Sequence, residues 1–205
     1  MTIRRNGSVW LSLWVALAAL GTWGAPLWAA TPMEQVKVTG DRVMEILRNP
    51  SLKGEDNKSA RRDQLRQAIL PRFDFTEMAK RSLGSHWNRN PQKQREFVSV
   101  FSRLLEDGYA DQIEAANGDQ IVYLKERKEN NVAEVVTKLI SPKGEDTTVN
   151  YRLHLVGKEW KVYDVVVENI SLVNNYRSQF DRALATASIE ELIRKMKDKK
   201  VDRSS

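Results

Sequence analysis

The sequence predicts an α+β fold: a twisted four-stranded antiparallel meander sheet wrapped by helices around a large apolar interior. Three observations carry the prediction. Between Ile121 and Val167 apolar and polar residues alternate with a period of two, in four runs separated by short turns. On either side of that block the apolar residues recur at three- and four-residue steps, the spacing of one helical face. No internal repeat or linker divides the 205 residues, so one core is expected, with residues 31–197 forming a single domain and 198–205 a charged tail.

The first thirty residues read as a secretory signal peptide. Arg4 and Arg5 form a positive start, an apolar run follows from about Val9 to Leu20, and Gly21, Gly24 and Pro26 end it. Cleavage is expected near Ala29–Ala30. The same stretch read as a membrane anchor is too short, because those helix breakers leave less than the ~20 residues a crossing needs. The mature protein is therefore expected in the periplasm. Four of the six tryptophans lie in this leader, which leaves Trp87 and Trp160 for the folded part.

Charge and composition exclude several classes of function. The formal net charge is +6, and +4 without the leader's two arginines; the signs are well mixed. Such a surface attracts anionic membranes weakly, and with no aromatic residues interleaved among the cations it is not a nucleic-acid footprint. There is no cysteine, hence no disulfide and no thiolate-bound metal, and the two histidines, His86 and His154, are too few for a histidine metal site. No metal and no cofactor are expected.

Taking the elements in order, Val36, Val43, Ile46 and Leu47 mark an amphipathic helix that ends near Asn49-Pro50. The polar segment from Ser51 to Arg62 reads as a loop, followed by a turn or two of helix carrying Leu65, Ala68 and Ile69. Asp74 and Glu77 then have the spacing of a capping box, with Phe73 and Met78 as a hydrophobic staple, and Gly84 is placed to end the helix in a left-handed conformation. Asn90-Pro91 opens a long helix to about Ala116. Its apolar face is Phe97, Val100, Phe101, Leu104, Leu105, Tyr109 and Ile113.

The strands follow: Ile121–Lys128, Val132–Ser141, Thr147–Val156 and the run from Glu159 through Val167. In the third, Val149, Tyr151, Leu153 and Leu155 share one face, opposite Asn150, Arg152 and His154. Gly157-Lys158 makes a two-residue hairpin. In the fourth the apolar phase slips between Val162 and Val165, which predicts a bulge. Glu168 to Ser171 is a corner into a helix whose face carries Val173, Tyr176, Phe180 and Ala183, with Ser171 as its cap. Ser188 and Glu191 cap a last short helix, which frays from Lys197.

Chemistry-bearing motifs are absent. There is no GxGxxG, no phosphate loop and no GxSxG. Asp164, beside an apolar run, could serve as a base with one of the histidines in a cone-shaped α+β enzyme, or could hold the bulge together; a filled-core interaction module is a third alternative. Periodicity does not choose among these.

Three segments do narrow the choice. RFDFTEMAKRSLGSHW (from Arg72), EFVSVFSRLLEDGYA (from Glu96) and WKVYDVVVENISLVNNYRSQF (from Trp160) closely resemble the MlaC, or toluene-tolerance, family of periplasmic phospholipid-binding proteins. That resemblance implies a deep apolar pocket for acyl tails and no catalysis. It implies a monomeric shuttle that exchanges phospholipid between an outer-membrane lipoprotein complex and an inner-membrane ABC transporter complex, serving outer-membrane lipid asymmetry. On the faces above, the pocket would be lined by Phe97, Val100, Phe101, Leu104, Leu105 and Tyr109 of the long helix and by Val149, Tyr151 and Leu153 of the third strand. Val165, Val167 and Ile170 would follow from the fourth strand and its corner, then Val173, Tyr176 and Phe180 from the next helix. Arg177 is the candidate headgroup contact.

Overall fold

The computed structural model describes residues 30–142 and 144–203, with side chains to Asp198. The expected signal peptide and its cleavage point therefore fall almost wholly outside the described residues.

The first helix, α1 (Pro32–Arg48), starts where its cap chemistry dictates. Thr31 Oγ1 accepts from Glu34 N–H at 3.1 Å, Glu34 returns the bond to Thr31 N–H at 2.7 Å, and Pro32 occupies the first turn. Met33 N–H donates to Glu126 Oε2 at 2.7 Å, so a sheet residue also holds the helix start. Asn49 ends α1 and accepts from Ser51 N–H at 2.9 Å, which begins a 3-10 turn over Pro50–Leu52.

The expected loop is then shorter than the sequence implied, because α2 spans Lys58–Ile69. Its face is mostly polar and only Leu65 is buried, so periodicity gave no warning. Ion pairs across the fold hold the helix instead, Arg62 to Glu114 at 3.0 Å and Arg66 to Glu106 at 3.3 Å.

In α3 (Phe75–Leu83) the predicted capping box closes on one side only. Asp74 accepts from Glu77 N–H at 2.9 Å, while the Glu77 carboxylate turns away to Arg81 at 2.8 Å. Asp74's other oxygen meets His154 Nε2 at 3.0 Å. Gly84 follows with φ +53° and ψ −124°, positive as expected but outside the left-handed helical basin. A one-turn α4 (His86–Arg89) and a 3-10 turn over Pro91–Lys93 precede α5 (Gln94–Ala115), so Asn90 caps the turn region and not the long helix.

The sheet has five strands in sequence order, all antiparallel: β1 (Gln120–Glu129), β2 (Val132–Ile140), β3 (Thr147–Val156), β4 (Glu159–Val167) and β5 (Ile170–Ser171). The predicted meander holds, with one short strand added. Glu168 and Asn169 both have positive φ, 46° and 67°, the backbone of a tight two-residue hairpin, so the expected corner is a reversal that pairs Ile170 with Val167. The predicted bulge is at Tyr163: Arg152 faces Asp164 while Leu153 faces Val162. The free edge of β4 is closed at both ends, by β5 and by Phe73–Asp74, whose Asp74 N–H donates to Val162 O at 2.8 Å.

Ser171 caps α6 (Leu172–Leu184) as predicted, accepting from Asn174 N–H at 3.1 Å. Ser188 accepts from Glu191 N–H at 3.2 Å, and α7 (Ile189–Arg203) continues well past the expected fraying point. Here too the box is one-sided, since Glu191 pairs with Lys195 at 3.0 Å.

The elements form two bodies. α1 lies across β1 and β2, while α3, α5, α6 and α7 form a bundle that meets the sheet at β4 through α3 and α6. The main neighbours of α5 are α7 and α3, not the sheet.

Candidate functional site

The interior is not one continuous core but three apolar clusters. The bundle cluster holds Phe97, Val100, Phe101 and Leu105 of α5 with Val173 and Phe180 of α6, together with buried residues of α3 and α7. A sheet-backed cluster holds Leu153, Val135, Trp160 and Val162 with Val36 of α1. A third joins Met44, Ile46 and Leu47 of α1 to Leu52 and Leu65. Phe73 touches both of the first two clusters and stacks on Phe75 with ring centroids 5.8 Å apart. Small domains usually have one contiguous core with minor satellites. The two larger clusters share Phe73, and the elements that carry them meet where α3 and α6 pack on β4.

The sequence-predicted lining residues are divided between these walls, and do not form one. On the bundle side the seam is filled. Phe97 and Phe101 are fully buried, and their rings meet Phe180 edge-on at 5.4 and 5.7 Å; Tyr176 meets Phe101 at 5.2 Å. Leu104, Tyr109 and Tyr176 are partly buried at its margin. On the sheet side Leu153 is fully buried, with Tyr151 and Val165 half-buried against it; Val149 is buried across from Thr137.

Tyr151 is the informative residue of that wall. Burial pushes its hydroxyl's pKa up, against a hydrogen bond with the side chain of Thr137 that pulls it down. The residue nonetheless keeps accessible surface.

Two expected lining residues lie elsewhere. Val167 is 40% exposed and Ile170 66% exposed, because the tight reversal at Glu168-Asn169 places them opposite each other on a surface hairpin.

Arg177 lies on the exposed side of α6, above Gly84; a Cβ on that glycine would come within 3.1 Å of the guanidinium. Beside it is a cavity of about 380 Å³ between α3, the bulge of β4 and the start of α6. The position is decided by folding: Lys80, Arg81, Arg152 and Arg177 line it from α3, β3 and α6, and nothing in their sequence spacing brings them together. A second cavity, of about 670 Å³, opens at the C-terminal end of α1 beside Ile121.

The catalytic alternative fares poorly on geometry. Asp164 is 3% exposed; its Oδ1 accepts from Val173 N–H at 3.0 Å, and its Oδ2 from Ser171 Oγ at 2.7 Å and from Arg152 Nη1 at 3.1 Å. Three of the roughly four acceptor sites of this buried carboxylate are thus taken by structural donors. His154 is held by Asp74 and packs edge-on to Tyr163, and His86 is near Asp181 at 3.4 Å, so each histidine's carboxylate partner is a residue other than Asp164. Among the described residues no group of three His, Cys, Asp or Glu could hold a metal ion.

Residues 37–198 match the family model described as MlaC protein, from the middle of α1 to α7. The chain belongs to the MlaC family. Among curated relatives, the intermembrane phospholipid transport system binding protein MlaC of Haemophilus influenzae is 25% identical over 172 residues, covering 81% of this chain and 80% of that protein. The toluene tolerance protein ttg2D of Pseudomonas putida is 26% identical over 159 residues, covering 76% of this chain and 74% of that protein. A phospholipid-binding protein from Ralstonia solanacearum, solved in complex with a phospholipid, superposes with a TM-score of 0.76 at 23% identity, over 86% of this chain and 100% of that one. The α+β fold with its antiparallel sheet is thus the fold of that structure. In this MlaC-family chain the matched stretch contains the bundle cluster, the buried residues of the sheet-backed cluster apart from Val36, and all the residues singled out for lining. No helix among the described residues is long and apolar enough to cross a membrane.

Proposed function

We propose that this protein is a periplasmic carrier of phospholipid, not an enzyme, and that the space between the bundle cluster and the sheet-backed cluster receives the acyl tails. The observation that carries the reading is the divided interior: two large apolar clusters, one within the bundle and one against the sheet, with Phe73 shared between them, in a chain of the MlaC family. Burying one CH₂ contributes about 0.8 kcal/mol, so a sixteen-carbon tail gains on the order of 12 kcal/mol gross. An open groove would forfeit much of that gain, while two walls closing on the tail keep it. Bundle and sheet meet at β4 through α3 and α6, which lets α5 swing away without breaking strand pairing.

Tail burial of this size makes spontaneous release slow, so delivery needs a partner that parts the walls. The reading places this protein, as a monomer, between an outer-membrane lipoprotein complex and an inner-membrane ABC transporter complex. The Haemophilus relative's name as part of an intermembrane phospholipid transport system supports that placement. The test is mass spectrometry of lipid extracted from mature protein purified without detergent. Diacyl phospholipid at a substantial fraction of one per molecule is expected. Lipid-free preparations that also take no phospholipid from vesicles would overturn the reading.

A further inference from the structure

The cavity beside Arg177 differs in charge from the rest of this well-mixed surface. Four cations, Lys80, Arg81, Arg152 and Arg177, line it, and Asp164 is the single carboxylate among its lining residues. That carboxylate is already consumed by Arg152, Ser171 and the Val173 N–H. The remaining acids near these cations stand outside the lining: Glu77 against Arg81 at 2.8 Å and Lys80 at 3.5 Å, Asp181 against Arg177 at 4.0 Å, Glu134 against Arg152 at 3.9 Å. These acids pair with the cations without lining the cavity, whose wall carries four cations to one carboxylate.

The two arginines that matter most are positioned, not loose. The Arg81 guanidinium sits over the Tyr163 ring, its Cζ 4.1 Å from the centroid. Arg177 rests on Gly84, where any side chain would crowd the guanidinium. A guanidinium held by one edge still offers N–H donors at the other, in a fork that fits the oxygens of a phosphate. The cavity, at about 380 Å³, is larger than a bare ion requires. Its wall also includes Val173, a member of the bundle cluster, so the cations border the apolar interior.

We propose that this cavity is a binding site for an anion of phosphate chemistry, either the phosphodiester headgroup of a lipid or free inorganic phosphate. In its headgroup form the proposal rests on the carrier reading above; in its free-phosphate form it does not.

Trp87 lines the cavity and reports its occupancy. Delipidated mature protein is titrated with inorganic phosphate while tryptophan fluorescence is followed. In parallel it is offered vesicles containing phosphatidylglycerol and diacylglycerol of identical chains, and the extracted lipid ratio is measured. Both experiments are repeated on Arg81→Gln/Arg177→Gln, and on Lys80→Gln/Arg177→Gln should the first pair melt early. A headgroup site gives a preference for phosphatidylglycerol that falls about tenfold in the variant, as losing charge-assisted bonds predicts. A free-phosphate site gives saturable phosphate binding that weakens about tenfold in the variant, without a lipid preference. Absence of both effects overturns the proposal. Phosphate binding with no uptake of either lipid keeps the anion site and overturns the carrier reading instead.

Discussion

Replacing Asp164 with alanine tests whether this carboxylate is a structural clasp. It joins the bulge of β4 to the first turn of α6 and to β3 at once. In Asp164→Ala the buried Val173 N–H loses its acceptor, and an unsatisfied buried donor costs about 1–3 kcal/mol. Ser171 keeps Asn174 as a partner and can rotate toward water. Arg152 is 40% exposed, so most of its loss is made good by solvent, and its share is discounted to under about 1 kcal/mol. The total is about 3 kcal/mol. For a domain of this size each kcal/mol moves the melting temperature by about 2–4 °C, so a drop of about 9 °C is expected. Asp164→Asn should fall between wild type and alanine, since its carbonyl still accepts from Val173 while its amide meets two donors. The assay is thermal unfolding of delipidated protein followed by circular dichroism. If Asp164→Ala melts within 2 °C of wild type, the clasp is wrong; a catalytic carboxylate, whose removal commonly leaves stability intact or raises it, would then return to consideration.

Val173 is 4% exposed within the bundle cluster and its N–H is bonded to Asp164, so Val173→Glu buries a second carboxylate beside the first. Denaturant unfolding of the delipidated variant should show a loss of about 3–5 kcal/mol, and an unchanged midpoint with lost lipid binding would instead mark the site as slack cavity wall. Gly40→Ala, which in an open helix interior would gain about 1 kcal/mol, is expected to destabilise by about 1–3 kcal/mol, because the new Cβ would lie 2.3 Å from Tyr123 Oη. Adding Tyr123→Phe removes that oxygen, itself a buried group with no hydrogen-bond partner, and should recover most of the loss in the same melt; no recovery refutes the contact as the cause. Burial alone would raise the carboxyl pKa of Glu114, but the hydrogen bond and charge of Arg62, with Arg61 behind, carry it below the ordinary carboxylate value. A depressed folded value means the stabilisation is complete above the unfolded value of about 4.3 and is lost as pH falls through the folded one. Glu114→Gln should therefore be less stable than wild type at neutral pH, with the gap closing in acid; a gap independent of pH would show that ionisation is not involved.

Local patterns located most of the elements. Alternation located β1 to β4, the phase slip between Val162 and Val165 located the bulge at Tyr163, and Thr147–Val156 was legible residue for residue. Caps at Asp74, Ser171 and Ser188 were readable because a side chain and the N–H it serves are three residues apart. The family was legible in three short runs for a related reason: each combines several such local constraints. What failed was where the partner lies far away in sequence. The length of α2 depends on Glu106, Asp111 and Glu114 some fifty residues later. The second half of Asp74's capping box was lost to Val162 O on β4, which takes the Asp74 N–H, and to Glu77's choice of Arg81. Helical and strand periods say which residues face inward, but not what they face. Phe97 and Phe101 thus met Phe180 and Tyr176 in a filled seam, while Tyr151 packed half-buried against the separate sheet-backed cluster. The cationic cavity is the extreme case. Lys80, Arg81, Arg152 and Arg177 are spread over nearly a hundred residues, and charge on an exposed side chain leaves no periodic trace. Only the docking of α3 and α6 against the bulge of β4 set them around one space, because hydrophobic burial fixes how the elements approach and the exposed cations are carried along with them.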